Sequence, residues 1–186
     1  LINTYTEGQQ NDSTVTHLSD GGFVVVWESS AQDVSGVGIY VQRYNLVGNK
    51  TGNEFQINTN TRVEGSSASV AGLSDGGFVV TWMSYGQDFS DFSDFGSGIY
   101  GQRYDKNGNK LGWEFRVNSY VSESQSWPAV TGLDDGGFIV TWQSNAQEGD
   151  FSDFGSGIYG QRYDSLGTAT TLSGYNFKPS SDLAYA

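Results

Sequence analysis

Composition and charge exclude several classes of protein. The chain has 186 residues and a formal net charge of −12 with only nine Lys and Arg, which argues against nucleic acid as a partner because phosphate binding needs clustered basic side chains. It contains no cysteine, and therefore no disulfide or thiolate metal site, and no apolar run approaches the ~20 residues of a membrane-spanning helix.

The chain repeats one sequence pattern three times. The first signature is Gly-Gly-Phe followed by a β-branched run and Trp, at residues 21–27, 76–82 and 136–142. The second is Gly-Ile-Tyr-x-Gln-Arg-Tyr, at residues 38–44, 98–104 and 157–163. Residues 92–105 and 151–164 are identical. A fixed period of about 60 residues indicates one supersecondary unit used in tandem.

These signatures set the expected domain organisation. We expect one repeat domain over residues 1–186, with repeats at about 12–58, 67–118 and 127–178 and a tail at 179–186. The opening residues 1–4 match residues 56–59 at the end of the first repeat. A natural protein seldom begins at such a point, so we expect the chain to be a segment of a longer one.

The second repeat predicts four strands in chain order. Alternating or β-branched runs lie at residues 69–73, 78–82, 99–104 and 113–118. Gly-containing turns join the first strand to the second and the third to the fourth. The predicted fold is all-β, with three tandem four-stranded antiparallel repeats resembling β-propeller blades. A β-trefoil is the alternative, and a propeller of about four to eight blades would require a dimer or a longer array.

In such a meander the long loops gather at one edge. The second-to-third connections, at residues 29–37, 84–97 and 144–156, and the connections between repeats are longer than the two hairpin turns. Binding residues often lie on loops held by a rigid scaffold. We expect this long-loop edge to be the working face.

The acidic loops predict calcium ligands. The candidate residues are Asp33, Asp88, Asp91, Asp94, Asp150 and Asp153. Neighbouring carboxylates, Ser hydroxyls and backbone carbonyls are the oxygens that Ca²⁺ collects. Their spacing matches neither an EF-hand nor the Gly-rich nonapeptide repeat, and a solvated acidic loop is the alternative.

Aromatic side chains in the same region predict a ligand platform. The candidates are Phe89, Phe92, Phe95, Phe151, Phe154 and Trp127, the last in a connection between repeats. Exposed rings beside Asp and Asn can stack on sugar faces while the polar groups bind the hydroxyls. The alternative is a local cluster of inward-folded rings.

Other recurring residues have structural interpretations. The tryptophans that end the Gly-Gly-Phe segments are expected in the core. We expect the arginines of Gln-Arg-Tyr to be semi-buried and paired with carboxylates such as Glu54 and Glu114. His17, the only histidine, replaces the Gly of the other repeats and is expected at the surface. No catalytic residue is predicted.

The three motifs resemble a known repeat over nearly the whole chain. Asp-Gly-Gly-Phe-Val-Val-Thr-Trp, Gly-Ser-Gly-Ile-Tyr-Gly-Gln-Arg-Tyr-Asp and Gly-Asn-Glu-Phe-Gln-Ile-Asn-Thr are similar to the tandem repeats of large secreted bacterial proteins, adhesin-like and associated with calcium-binding RTX-type modules. The resemblance implies an extracellular or cell-surface location and a role in adhesion. Residues 165–171 depart from the repeat pattern, because the Asn-Gly-Asn turn of the second repeat is replaced there, and we expect the third turn to be lengthened.

Three functions follow as hypotheses. The first is a secreted, non-enzymatic, lectin-like module that binds carbohydrate or a cell-surface partner, with Ca²⁺ ordering its loops. The second is a structural subunit that assembles with its own copies, as a dimer or polymer, into a filament or surface layer. The third and least favoured is a glycoside hydrolase, because no carboxylate pair stands out from the repeated background.

Overall fold

The computed structural model describes residues 1–30, 32, 36–60, 65–87, 96–121, 123–145 and 155–171. Sheet 1 contains β1 (Gln10–His17), β2 (Phe23–Ser30), β3 (Val37–Tyr44) and β4 (Lys50–Gln56). Sheet 2 contains β5 (Gly65–Gly72), β6 (Phe78–Tyr85), β7 (Ser97–Tyr104) and β8 (Lys110–Arg116). Sheet 3 contains β9 (Gln125–Gly132), β10 (Phe138–Asn145), β11 (Ser156–Tyr163) and β12 (Ala169–Thr170). The described ranges hold no helix that could cross a membrane.

Each sheet is an antiparallel meander in chain order, and the three sheets follow one another as an open array. The first strands are neighbours, with β1 beside β5 and β5 beside β9. These strands are called the inner strands below. The amide of Gly72 donates to Thr16 Oγ1 (3.2 Å) and that of Val130 to Ser69 Oγ (3.2 Å). The predicted all-β fold of blade-like repeats is confirmed, and the sheets do not close into the alternative trefoil.

Two apolar layers hold the sheets together. One lies between sheets 1 and 2 and the other between sheets 2 and 3. Alternation along β6 sends Phe78 and Trp82 into the first layer and Val79 into the second. Sheet 2 is therefore buried on both faces. The three predicted core tryptophans are all buried, as Trp27, Trp82 and Trp142.

The turn between the first two strands of each sheet explains the paired glycines. In sheet 2, Asp75 Oδ1 accepts a hydrogen bond from the Gly77 amide (2.8 Å), and Gly76 has a φ of 87°. A Cβ on Gly77 would lie 2.2 Å from the carbonyl oxygen of Tyr104. The first glycine therefore supplies the left-handed backbone, and the second permits close contact with the third strand.

The turn between the last two strands has the same form in all three sheets. The Asp105 amide donates to the carbonyl of Asn109 (2.9 Å), and the Asp164 amide donates to the carbonyl of Thr168 (2.9 Å). The expectation that the third turn is lengthened is wrong. Thr168 provides the same backbone groups as Asn109, and Gly167 keeps the positive φ that the turn requires (84°).

A bulge shifts the predicted bounds of the fourth strand in sheet 2. The strand covers Lys110–Arg116 rather than residues 113–118, because the register shifts around Gly112 (φ 73°). The side-chain amide of Gln102 donates to the carbonyls of Arg103 (3.0 Å) and Gly112 (3.4 Å). Beyond the strand, Asn118 Oδ1 accepts from the Ile99 amide (2.7 Å) and replaces a ladder bond.

Candidate functional site

Each inner strand has a bulge at the same place. Asp12, Ser67 and Trp127 are non-glycine residues with φ of 47°, 54° and 55°. Each lies where two residues of the inner strand face one of its neighbour: in β5, for example, the pairs Ser66–Met83 and Ser69–Thr81 flank the bulge. β-bulges redirect side chains and are frequent beside functional sites.

Trp127 is the most exposed large hydrophobic side chain on an inner strand, with 71% of its surface accessible. It was predicted in a connection between repeats but lies within β9, because that strand begins at Gln125, on the long-loop side of the sheet. A bulky residue with positive φ is a genuine outlier, and such strain is concentrated at binding sites. An exposed indole on a rigid, strained strand can stack on a flat apolar ligand surface.

Glu28 links the bulge of sheet 2 to sheet 1. Its buried carboxylate accepts a hydrogen bond from the Ser67 amide (2.6 Å). Burial raises the pKa of Glu28, the Ser67 hydrogen bond opposes that rise, and the negative charge of Asp12 adds to it. Met83 and Gln143 stand at the matching places in sheets 2 and 3. This carboxylate is therefore a feature of the first junction alone.

A polar chain fixes the base of the long loop in sheet 2. Ser84 Oγ donates to Gln87 Oε1 (2.9 Å), and Gln87 Nε2 donates to Glu114 Oε1 (2.5 Å). The other oxygen of Glu114 accepts from the amide and the hydroxyl of Thr59 (2.8 and 2.9 Å). One carboxylate thereby ties the start of the loop to the connection entering the sheet.

Sheet 1 repeats this chain with its own residues. Ser29 donates to Gln32 (2.9 Å), Gln32 donates to Glu54 (2.8 Å), and Glu54 accepts from the Thr4 amide (2.5 Å). Burial acts to raise the pKa of Glu54, but hydrogen bonds from Thr4, Gln32 and Tyr5 outweigh it, so the pKa is lowered.

Among the described residues, only one of the three recurring arginines pairs with a carboxylate, and none pairs with Glu54 or Glu114. The side chain of Arg43 packs over Gly108, in the last turn of the next sheet, with its Cδ 3.3 Å from the Cβ position there. The guanidinium of Arg103 donates to the Ser165 carbonyl (2.7 Å), in the corresponding turn of sheet 3. Arg162 instead forms an ion pair with Asp135. Glu54 and Glu114 are occupied by amide groups, so the predicted Arg–Glu pairing is wrong.

Most of the predicted ligand residues lie outside the described residues. They are Asp33, Asp88, Asp91, Asp94, Asp150, Asp153, Phe89, Phe92, Phe95, Phe151 and Phe154. Within the described ranges, no three His, Asp or Glu side chains are grouped so that they could hold a metal ion. The calcium site stays a prediction.

Sequence reasoning missed two features. Trp113 in β8 is 92% exposed, and its position next to the bulge glycine was a usable signal. The inner-strand bulges had no signal, because Asp12, Ser67 and Trp127 share neither size nor chemistry.

Comparison with solved structures supports the fold. A Hadza microbial sialidase, Hz136, superposes with a TM-score of 0.60 at 11% identity, over 86% of this chain and 36% of that protein. A protein of unknown function from Dyadobacter fermentans DSM 18053 gives a TM-score of 0.57 at 10% identity, over 83% of this chain and 51% of that protein. The chain thus spans about a third to a half of these proteins. No protein-family model and no curated protein matches it.

Proposed function

We propose that the chain is a secreted, non-enzymatic binding module whose long-loop edge takes carbohydrate or a cell-surface partner. The observation that supports this most directly is the exposed indole of Trp127 on a strained inner strand. A rigid aromatic surface costs little conformational entropy on binding and suits the apolar face of a sugar ring. The location outside the cell rests on the resemblance of the repeats to secreted adhesin-like proteins.

The proposal assigns no catalytic role to three of the described carboxylates. Glu28 is buried and already accepts the Ser67 amide, while Glu54 and Glu114 anchor connections. Each therefore has a structural task within the repeats. The likeness to a sialidase at 11% identity concerns the fold.

A glycan array followed by titration calorimetry tests the proposal. We expect saturable binding by the wild type and at least about a tenfold loss in Trp127→Ala, the loss that removing one aromatic anchor commonly causes. Trp113→Ala is the matched control, because it removes another exposed indole from the outer strand β8. Equal affinities of wild type and Trp127→Ala, or no glycan bound at all, would contradict the proposed site.

Calcium is the second part of the proposal. It would bind the acidic loops whose bases are tied by Gln32 and Gln87, and it would relieve repulsion among the loop carboxylates. Thermal unfolding with Ca²⁺ and with excess chelator tests this. A higher midpoint with Ca²⁺, lost in a variant with Asp88, Asp91 and Asp94 changed to Asn, is the expected result. An unchanged midpoint would remove calcium from the proposal.

A further inference from the structure

The open array has two outer faces, one on sheet 1 and one on sheet 3. Apolar residues on these faces are exposed, whereas the equivalent residues at the two internal junctions are buried. Ile99 and Ile158 occupy the same place in the identical stretches of repeats two and three. Ile99 is fully buried against sheet 3, whereas Ile158 is 74% exposed. Ile39, at the same place in sheet 1, is also fully buried. The outer face of sheet 3 thus exposes the same apolar residue that sheets 1 and 2 bury against the next sheet.

The opposite end of the array shows the complementary surface. Val70 and Phe78 of sheet 2 are buried against sheet 1. Their counterparts in sheet 1 are Val15, which is 63% exposed, and Phe23, which is half-buried. The outer face of sheet 3 therefore resembles the face that sheet 2 packs against sheet 3. The outer face of sheet 1 resembles the face that sheet 2 packs against sheet 1.

An arginine and a turn show the same complementarity. At both internal junctions an arginine of the third strand packs over the glycine of the next sheet's last turn: Arg43 over Gly108 and Arg103 over Gly167. The equivalent glycine of sheet 1 is Gly48, and no atom of the described chain lies within 4 Å of its Cβ position. The equivalent arginine of sheet 3 is Arg162.

We propose that the outer face of sheet 3 binds the outer face of sheet 1 in a second copy of this chain, head to tail, and that His17 keeps this association weak. The docked copy would place Ile158 against Val15 and Phe23, and Arg162 over the Gly48 turn. Such a contact is heterologous, so it closes a ring or continues as a filament according to the angle between copies.

The role of His17 follows from the glycines of the inner strands. A Cβ on Gly72 would lie 2.3 Å from the carbonyl oxygen of His17, and a Cβ on Gly132 would lie 2.3 Å from that of Gly72. Each internal junction thus needs glycine at the end of the inner strand. His17 stands at that place in sheet 1, so its side chain would hold the second copy away from the carbonyl of Gly132. The outer contacts can form while the inner strands stay apart.

Mass measurement by light scattering and sedimentation, over a wide range of concentration, tests the proposal. Physiological salt is needed because each copy has a net charge of −12 and the copies repel one another. We expect reversible association of the wild type, at least about tenfold weaker in Ile158→Asp and about tenfold tighter in His17→Gly. Leu166→Asp is the matched control, since it charges an exposed leucine in the sheet 3 turn that Arg103 of sheet 2 contacts.

The possible results either support the proposed contact between copies or overturn it. A monomeric wild type with an associating His17→Gly variant still supports the complementary faces and the role of His17. Monomers of both proteins at every concentration would overturn the proposal. So would association that Ile158→Asp leaves unchanged, because another surface would then be responsible. A circular dichroism spectrum of Ile158→Asp that matches the wild type shows that any lost association does not come from unfolding.

Discussion

The carboxylate of Glu28 accepts a 2.6 Å hydrogen bond from the backbone amide of Ser67 and so joins two sheets across their first junction. The acceptor is buried, and the donor lies at a left-handed bulge. At the second junction the matching residue is Met83, which carries no charge. The ionisation of Glu28 should therefore affect the stability of the whole array.

We predict that Glu28→Gln is more stable than the wild type at neutral pH. Because the pKa of Glu28 is raised in the folded protein, its favourable contribution is complete below the unfolded pKa and is lost as pH rises through the folded pKa. Gln keeps an oxygen for the Ser67 amide and carries no charge. Unfolding midpoints of the two proteins should converge in acid and separate toward pH 7, and a constant difference across pH would contradict this account.

Glu54 should behave in the opposite way. Its pKa is lowered in the folded protein, where hydrogen bonds from Thr4, Gln32 and Tyr5 outweigh burial. Its contribution is therefore present above the unfolded pKa and is lost as pH falls through the folded one. Glu54→Gln should unfold at a lower temperature than the wild type at pH 7, and the difference should shrink in acid. Glu7→Gln, which changes an exposed carboxylate, is the control and should leave the midpoint unchanged.

Much of the fold could be predicted because it depends on local signals. The pattern of residues 78–82 predicted that both faces of β6 are buried, and the paired glycines predicted the hairpin turn before it. The identity of repeats two and three made the strand order of one sheet a guide to the next. The third turn near Gly167 was misjudged because its geometry depends on Asp164 and the glycine rather than on the asparagines that vary.

The candidate site was predicted less well, for a physical reason. A bulge depends on register between strands, and Asp12, Ser67 and Trp127 show no shared residue type that marks it. Pairing of side chains across junctions was also beyond the repeat pattern. Arg103 bonds to the backbone carbonyl of Ser165, and a backbone partner leaves no signature in the sequence. The sequence shows that His17 replaces the glycine found in the other two repeats. Only the close spacing of the inner strands shows that a side chain at this position would clash with a neighbouring sheet.

The inner-strand glycines make a prediction about stability. Gly72→Ala should lower the free energy of unfolding by about 1–3 kcal/mol, the usual cost of overpacking, because the new Cβ meets the rigid backbone carbonyl of His17. Gly155→Ala is the control, since nothing in the described chain lies within 4 Å of its Cβ position. Urea unfolding measures both. A Gly72→Ala protein as stable as the control would show that the junction can widen without loss.

The strain at Trp127 gives the last prediction. Replacing it with glycine should stabilise the chain by about 1 kcal/mol relative to Trp127→Ala, because glycine adopts a φ of 55° freely whereas alanine keeps the left-handed penalty. Both changes remove the indole, so both should lose the proposed ligand contact equally. Urea unfolding and glycan titration on the same two variants therefore separate the conformational cost at this bulge from its use. Equal stability of the glycine and alanine variants would mean that β9 relaxes out of the bulge once the indole is gone, and that the indole itself holds the strained backbone in place.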